Sequence, residues 1–187
     1  MVKKNSCVFI SGYGSNLKSL IENSRDHSFP IKISLIICSN KTAKGIFYAK
    51  KNSIPYLIIN VKKKNYENSI MMKIKKHKIS LICLAGYMKI LSKKFIKKFG
   101  KKIINIHPSL LPKFKGLNTF KRIIDNNEKK TGCTVHFVNE KLDGGKNIIQ
   151  KSFFISKYDD VKTLKEKTQK LEHRAFSEAI IKIYRYN

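Results

Sequence analysis

The residue types best suited to chemistry in this sequence are an amide, an imidazole and a carboxylate: Asn105, His107 and Asp143. Asn105 and His107 lie two positions apart in the run 103–112, so strand alternation places both side chains on one face, and Pro108 then ends the strand. Together they could stabilise and protonate a developing oxyanion. A lone strand histidine is more often a satisfied core residue, but the amide partner and the abrupt chain exit favour a catalytic site.

Asp143 belongs to the sequence Leu-Asp-Gly-Gly at 142–145. A tight turn is the simple interpretation, since Asp and Gly both favour turns. The segment follows a strand that we expect near the strand of His107. Asp143 could then orient the imidazole and raise its pKa, or hold an attacking water. Asn, His and Asp form no sensible metal set here, and no Cys or second His has ligand spacing, so no metal site is predicted.

A glycine-containing loop, Ser-Gly-Tyr-Gly-Ser-Asn at 11–16, stands between the first predicted strand and the first predicted helix. Glycine lets the backbone approach a ligand closely, and a helix N-terminus attracts anions. Leu17 stands where a dinucleotide fingerprint needs its third Gly, and the Gly-Lys-Ser/Thr of a P-loop is absent. The loop predicts a site for a single phosphate; the alternative is a plain turn capped by Ser15 or Asn16.

The segment 84–91 follows the fourth predicted strand, which Gly86 interrupts. Its apolar side chains and backbone edges could line a pocket for a flat heterocycle. Taken alone, the same pattern is also typical of core packing.

Short apolar runs alternate with segments of helical periodicity along the chain. Such alternation predicts one domain over 1–187 of the α/β class: a doubly wound, mostly parallel sheet with a C-terminal antiparallel strand addition and a long final helix. Strands are expected at 7–10, 33–38, 56–59, 81–85, 103–106, 133–138 and 148–155. Helices are expected at 16–23, 44–51, 66–76, 93–99, 120–126 and from Asp160, a suitable cap, onward.

The formal net charge of +28 suggests an anionic partner such as nucleic acid, a membrane surface or a phosphorylated metabolite. The basic residues are 36 Lys and 4 Arg, however, and Arg is the side chain that reads phosphate and bases with a bidentate fork. Abundant Lys, Ile and Asn are also the signature of A/T-rich codons. Compositional drift therefore competes with a binding function.

Four cysteines, Cys7, Cys38, Cys83 and Cys133, each sit in or beside an apolar run without C-x-x-C pairing. We expect buried strand residues rather than metal ligands or disulfides. Neither a signal peptide nor an apolar run of the roughly 18–20 residues that a membrane span needs is present, which predicts a cytoplasmic protein.

Together, these segments resemble the phosphoribosylglycinamide formyltransferases, or GAR transformylases, which are folate enzymes of purine synthesis. The motifs follow the family's order and spacing: SGYGSN (11–16), LAGYMKILS (84–92), NIHPSLLPKFKG (105–116), GCTVHFV (132–138), LDGG (142–145) and QKLEH (169–173). The resemblance implies a Rossmann-like formyltransferase fold.

It also implies the activity. The formyl group of the co-substrate 10-formyltetrahydrofolate would pass to the amino group of glycinamide ribonucleotide (GAR) by direct attack through a tetrahedral intermediate, in de novo purine (IMP) biosynthesis. Asn105 and a protonated His107 would stabilise the oxyanion. Asp143 would raise the His107 pKa and move the amine proton through water.

The resemblance assigns the N-terminal half to the ribonucleotide phosphate and the C-terminal half to folate and catalysis. The implied GAR-binding residues are Gly14, Ser15, Asn16, Gln169, Lys170, Leu171 and Glu172. The implied folate-binding residues are Lys63, Met88, Lys89, Ile90, Leu91, Asn105, Asn139, Glu140, Lys141, Leu142 and Asp143.

The chain departs from the family pattern in two places. Tyr13 replaces the usual Asn between the loop glycines. After the SLLP sequence, Lys115 stands where Pro is common, and Asn118 and Phe120 stand where His is common. These positions bear on the shape of the phosphate loop and of the segment after His107.

Three alternatives remain at this level. Methionyl-tRNA formyltransferase carries an added C-terminal nucleic-acid-binding domain, for which this chain has no room, and formyltetrahydrofolate deformylase usually adds an N-terminal regulatory domain. A noncatalytic RNA-binding module would explain the charge but not the loops, and the Lys runs are scattered. We expect small anionic substrates as partners, no specific nucleic acid or membrane, and a monomer or weak homodimer.

Overall fold

Strands and helices alternate through residues 2–185, the part of the chain that the computed structural model describes. The strands are β1 (Lys4–Ile10), β2 (Ile31–Cys38), β3 (Tyr56–Ile58), β4 (Leu81–Leu84), β5 (Lys102–His107), β6 (Lys130–Phe137) and β7 (Asn147–Phe154). The helices are α1 (Ser15–Ser24), α2 (Ile46–Lys51), α3 (Tyr66–Lys76), α4 (Lys93–Phe99), α5 (Thr119–Asp125) and α6 (Val161–Arg185).

The strands form a seven-stranded sheet in the order β3-β2-β1-β4-β5-β6-β7. β1 pairs in parallel with β2 and β4, β2 pairs in parallel with β3, and β6 pairs antiparallel with β7. This arrangement confirms the predicted α/β class with its antiparallel addition and long final helix. The chain divides into two compact units, 1–104 and 105–187, which are described separately below.

In the unit 1–104, β4 and the end of β1 are apolar runs without polar alternation. Every residue of β4 is buried, and the last five residues of β1 are buried as well. Strands covered on both faces by helices have this pattern. Cys7, Cys38 and Cys83 are buried free thiols in these strands, and Cys133 is buried in β6, as predicted.

The unit 105–187 packs α6 against the β6–β7 pair. The helix buries residues at three- and four-residue steps, among them Leu164, Ala175, Ala179 and Ile183. Its N-terminus carries the predicted cap, since Asp160 Oδ1 accepts the Thr163 N–H at 2.7 Å and Thr163 Oγ1 accepts the Asp160 N–H at 2.8 Å.

Among residues 2–185, no helix combines the length and the apolar character that a membrane crossing requires.

Candidate active site

The C-terminal end of β5 presents Asn105 and His107 to the Asp143 carboxylate. His107 Nδ1 lies 3.4 Å from Asp143 Oδ2, and Asn105 Nδ2 lies 3.5 Å from Asp143 Oδ1. The His107 and Asp143 side chains are 6% and 8% exposed. The alternation of β5 thus aims both residues at one point, and the structure brings the three predicted side chains together.

The 142–145 turn fixes the Asp143 carboxylate in place. Asp143 has φ +44, a left-handed conformation that Asp tolerates better than most residues, and its Oδ2 accepts the Gly116 N–H at 2.9 Å. A Cβ on Gly145 would lie 1.8 Å from the Phe137 carbonyl oxygen, so only glycine permits this close return to the end of β6. The two glycines after Asp143 are therefore a packing requirement as well as a turn signal.

His136 on β6 is a fourth polar member of the cluster, to which sequence reasoning assigned no role. Its side chain is 2% exposed. Nδ1–H donates to the Phe137 carbonyl at 2.9 Å, so Nε2 of the neutral ring accepts from Asn105 Nδ2 at 3.1 Å. Nε2 also lies 3.6 Å from Asp143 Oδ1, beyond hydrogen-bond range. The sequence signal that could have found it is strand alternation in the strand before the Asp143 turn. His136 was missed because it lies within the apolar run CTVHF.

The segment after His107 is held by a buried polar network centred on the Thr134 hydroxyl. That hydroxyl donates to the Ser109 carbonyl at 2.6 Å and accepts the Leu111 N–H at 3.0 Å and Gln150 Nε2 at 3.0 Å. Gln150 Nε2 also donates to the Leu111 carbonyl at 2.8 Å. The network fixes the path of residues 109–113.

The same segment continues to Phe114, whose carbonyl accepts His107 Nε2–H at 2.8 Å. In the neutral ring, Nε2 therefore carries the proton and Nδ1 faces Asp143 as an acceptor.

Burial would by itself raise the pKa of Asp143, but several contacts outweigh it. The His136 ring, the hydrogen bond from the Gly116 N–H and the His107 imidazole lower the pKa of Asp143 to about 2. Asp143 is therefore a carboxylate at neutral pH.

The His107 pKa is lowered on balance, a net direction that sequence reasoning did not predict. Burial lowers it most, and the neighbouring His136 and Arg122 side chains lower it further, whereas the Phe114 carbonyl and the Asp143 carboxylate raise it. Asp143 acts in the predicted direction, but the net shift is downward. Burial of the ring outweighs the single carboxylate, so the neutral form of His107 is favoured before any charge develops beside it.

The glycine loop belongs to the unit 1–104 and closes on Gly45. Gly14 has φ +78, and a Cβ there would lie 2.7 Å from Gly45 Cα. Gly14 is the N-cap of α1 and supplies no side-chain cap, so the N-cap position is held by neither Ser15 nor Asn16. The first turn of α1 also carries no acidic residue. Both features suit an anion at this N-terminus.

The loop's first residue is tied to the predicted heterocycle segment. Ser11 Oγ accepts the Met88 N–H at 2.8 Å and lies 2.6 Å from Ser39 Oγ. Met88 and Ile90 expose 66% and 75% of their side chains, while Leu91 is buried in the core. Lys89 is exposed, as is Lys63 in the turn after β3.

The remaining predicted binding residues lie in the unit 105–187. Asn139 shapes the Asp143 turn, since its Nδ2 donates to the Gly144 carbonyl at 3.2 Å and its Oδ1 accepts the Lys141 N–H at 2.9 Å. Glu140 and Leu142 are exposed on the same turn. On α6, Lys170 is exposed and the other three positions are half-buried: Gln169, Leu171 and Glu172.

Metal chemistry has no evident ligand set in the part of the chain that the structure describes. Residues 2–185 contain no group of three or more His, Cys, Asp or Glu side chains arranged to hold a metal ion.

Comparison with known proteins identifies the family. Residues 4–180 match the family model described as formyl transferase. The phosphoribosylglycinamide formyltransferase of Haemophilus influenzae is 38% identical over 92% of this chain and 84% of its own length. That of Bacillus subtilis is 34% identical, over 95% and 93%. The chain belongs to the formyl transferase family, in its phosphoribosylglycinamide formyltransferase branch.

Solved structures of this branch share the fold. The phosphoribosylglycinamide formyltransferase of Anaplasma phagocytophilum superposes with a TM-score of 0.92 at 34% identity, covering 99% of this chain and 89% of that one. Larger relatives also match: the human trifunctional purine biosynthetic protein adenosine-3 is 37% identical over 95% of this chain. This chain spans 18% of the length of that protein.

The departures from the formyltransferase pattern fit the local backbone. Tyr13 is 68% exposed, with Lys44 Nζ 5.2 Å from its ring centroid, so it points away from the core. Asn118 is the N-cap of α5 with φ +56, a conformation that Asn adopts readily. Phe120 is half-buried in the first turn of α5. The Lys115 carbonyl accepts a hydrogen bond from Arg122 Nη1 at 2.6 Å.

Proposed function

We propose that this formyltransferase transfers the formyl group of 10-formyltetrahydrofolate to the amino group of glycinamide ribonucleotide, in de novo purine biosynthesis. The observation that carries the proposal is the buried cluster of Asn105, His107 and Asp143, with the carboxylate within 3.5 Å of both partners. It occurs in a chain that matches phosphoribosylglycinamide formyltransferases over more than nine-tenths of its length.

The chemistry is a direct acyl transfer. The amine nitrogen of the ribonucleotide attacks the formyl carbon, and the carbonyl oxygen becomes an oxyanion. Collapse of this tetrahedral intermediate breaks the bond to N10 of the folate, and N10 takes up a proton while the amine loses one. The products are formylglycinamide ribonucleotide and tetrahydrofolate.

Asn105 and His107 are proposed to stabilise the oxyanion. Asn105 Nδ2 donates one hydrogen bond to His136 Nε2. Its second N–H points towards Asp143 Oδ1, and this 3.5 Å distance is longer than in an ordinary hydrogen bond. The second N–H is therefore the one from which a formyl oxygen can accept a hydrogen bond. His136 keeps the amide oriented while this exchange takes place, and no reorganisation is needed at the moment of reaction.

Asp143 is proposed to accept the proton that the amine loses. Its pKa of about 2 makes it a carboxylate at pH 7, able to accept the amine proton through a water. That proton is then held by His107, whose imidazolium form is favoured as negative charge develops on the formyl oxygen and is stabilised by the Asp143 carboxylate, until N10 takes the proton up. His107 is thus neutral before reaction and charged when the charge is needed.

The two substrates are proposed to bind at the residues that the family resemblance implies. The ribonucleotide phosphate meets Gly14, Ser15 and Asn16 at the start of α1, where a glycine N-cap leaves close backbone access. The 169–172 segment of α6 serves the ribonucleotide as well. Folate is assigned to Lys63, the 88–91 segment and the 139–143 turn. The proposal includes a cytoplasmic location, a monomer or weak homodimer, and small anionic substrates rather than nucleic acid.

The test is an absorbance assay of tetrahydrofolate formation with purified protein, 10-formyltetrahydrofolate and glycinamide ribonucleotide. We expect product only when both substrates are present. Equal product in the reaction without acceptor would identify a hydrolase instead. No product in either reaction would reject the transferase assignment.

A further inference from the structure

Arg122 on α5 makes two contacts with neighbouring residues of the segment 112–116. Its Nη1–H donates to the Lys115 carbonyl at 2.6 Å. Its guanidinium carbon lies 5.5 Å from the centroid of the Phe114 ring, within cation–π range. The Arg122 guanidinium thus contacts both the Lys115 backbone and the Phe114 ring.

Those two residues adjoin the backbone groups that hold the catalytic pair. The Phe114 carbonyl accepts His107 Nε2–H at 2.8 Å, and the Gly116 N–H donates to Asp143 Oδ2 at 2.9 Å. A displacement of residues 114–116 would therefore move a partner of the imidazole and a partner of the carboxylate together.

The backbone at Phe114 needs such support. Its φ is +55, in the left-handed region that an aromatic residue rarely occupies. A conformation of this kind persists only where its surroundings impose it. Arg122 provides a contact on the ring and another on the next carbonyl, and both oppose relaxation of the segment.

We propose that Arg122 is a positioning residue for formyl transfer: through Phe114 and Lys115 it holds the carbonyl that binds His107 and the amide that binds Asp143. The proposal rests on the function proposed above. Arg122 itself lies outside the motifs that carry the family resemblance.

Within residues 2–185, the charged or titratable groups that act on the His107 ring are Asp143 from the 142–145 turn, His136 from β6 and Arg122 from α5. Loss of the Arg122 charge and loss of the Phe114 hydrogen bond act on His107 in opposite directions, since the charge lowers its pKa and the hydrogen bond raises it. The pKa alone cannot separate the two effects, so the tautomer of the ring is the better readout.

The experiment compares Arg122→Ala and Arg122→Lys with Lys121→Ala, which removes the adjacent positive charge on the same helix. For each full-length protein, kcat and both KM values are measured. The His107 tautomer is read in the empty protein by ¹⁵N–¹H NMR at pH 8, where the ring is neutral.

We expect wild-type protein to show the Nε2–H tautomer. Arg122→Ala should lower kcat by about tenfold with both KM values within about twofold, because misplaced catalytic groups affect the reaction step rather than binding. The same variant should mix the His107 tautomers. Arg122→Lys keeps one donor and the charge and should recover kcat to within about threefold of wild type. Lys121→Ala should match wild type.

The proposal is overturned if Arg122→Ala keeps wild-type kcat and a pure Nε2–H tautomer, or if Lys121→Ala causes the same losses. Should wild-type protein transfer no formyl group at all, the proposed function fails. The tautomer comparison would still decide whether Arg122 positions His107.

Discussion

His107 Nδ1 lies 3.4 Å from Asp143 Oδ2, with both side chains almost fully buried. The other ring nitrogen donates to the Phe114 carbonyl, so a neutral ring presents a lone pair to a carboxylate, and only the imidazolium satisfies both neighbours. Burial opposes that charge and lowers the pKa of His107 on balance. A proton taken up by His107 would therefore satisfy both neighbours of the ring at once.

The first prediction concerns the carboxylate of this pair. Asp143→Asn keeps the size of the side chain, and Asn accepts the left-handed φ of +44 at this position. Because Asp143 raises the His107 pKa, the variant should lower that pKa further below 6.5. It should also reduce kcat by at least about 100-fold, the scale of an acid–base or oxyanion group. NMR titration of the His107 ring and steady-state assays provide the two measurements.

Asp143→Asn with an unchanged His107 pKa would show that the two residues are not coupled. An Asn139→Ala variant serves as a control for the His107 titration alone, because it loosens the same turn and leaves both catalytic groups in place, whereas Asn139 itself is a proposed folate-binding residue.

Much of the fold followed from the sequence because the signals were local. β1 and β4 are apolar runs without alternation, which indicates strands covered on both faces. The bounds of α3 and α4 were predicted to the residue, since apolar periodicity and flanking turns marked both ends. The start of α2 was placed two residues too early, at Lys44, because the Gly45 contact with Gly14 is a tertiary feature.

The candidate site was predictable where chemistry and strand alternation coincided, as at Asn105 and His107. His136 escaped because a single histidine within an apolar run gives no local sign of the residues it will meet. The lowered His107 pKa escaped for a similar reason: desolvation depends on which side chains cover the ring, and sequence spacing does not reveal that.

The second prediction concerns the hydroxyl that organises residues 109–113. Thr134→Val is nearly isosteric but leaves the Leu111 N–H, the Ser109 carbonyl and Gln150 with one partner fewer. Thr134 is fully buried, so we expect a loss of about 3 kcal/mol in the free energy of unfolding. Thr134→Ser keeps the hydroxyl and should lose only about 1 kcal/mol for the missing methyl group. Urea denaturation of the two variants measures the difference; equal losses would refute the role of the hydroxyl.

The third prediction concerns the glycine loop at 11–16, the proposed phosphate site. Gly14→Ala combines a left-handed φ of +78 with a Cβ only 2.7 Å from the Gly45 backbone. We expect a loss of about 2 kcal/mol in stability and a raised KM for the ribonucleotide, with a smaller effect on the KM for folate. Gly12→Ala is the matched control for stability, because a Cβ there meets nothing within 4 Å. Thermal unfolding and KM measurements test both points, and similar melting temperatures for the two variants would contradict the strain argument.

The fourth prediction concerns the fall in the free energy of unfolding at acid pH. The folded pKa of Asp143, about 2, lies below its ordinary 3.8, so the unfolded chain binds the proton more readily. This carboxylate thus contributes about 2 kcal/mol of stability that is fully present above pH 4 and lost as the pH falls through 2. The His107 pKa is also lowered, so its contribution is present above pH 6.5 and declines as the pH falls from there. Denaturant unfolding between pH 7 and pH 2 should show both declines, and Asp143→Asn should lack the lower one. A variant that retains the full loss below pH 4 would locate the acid sensitivity in other carboxylates.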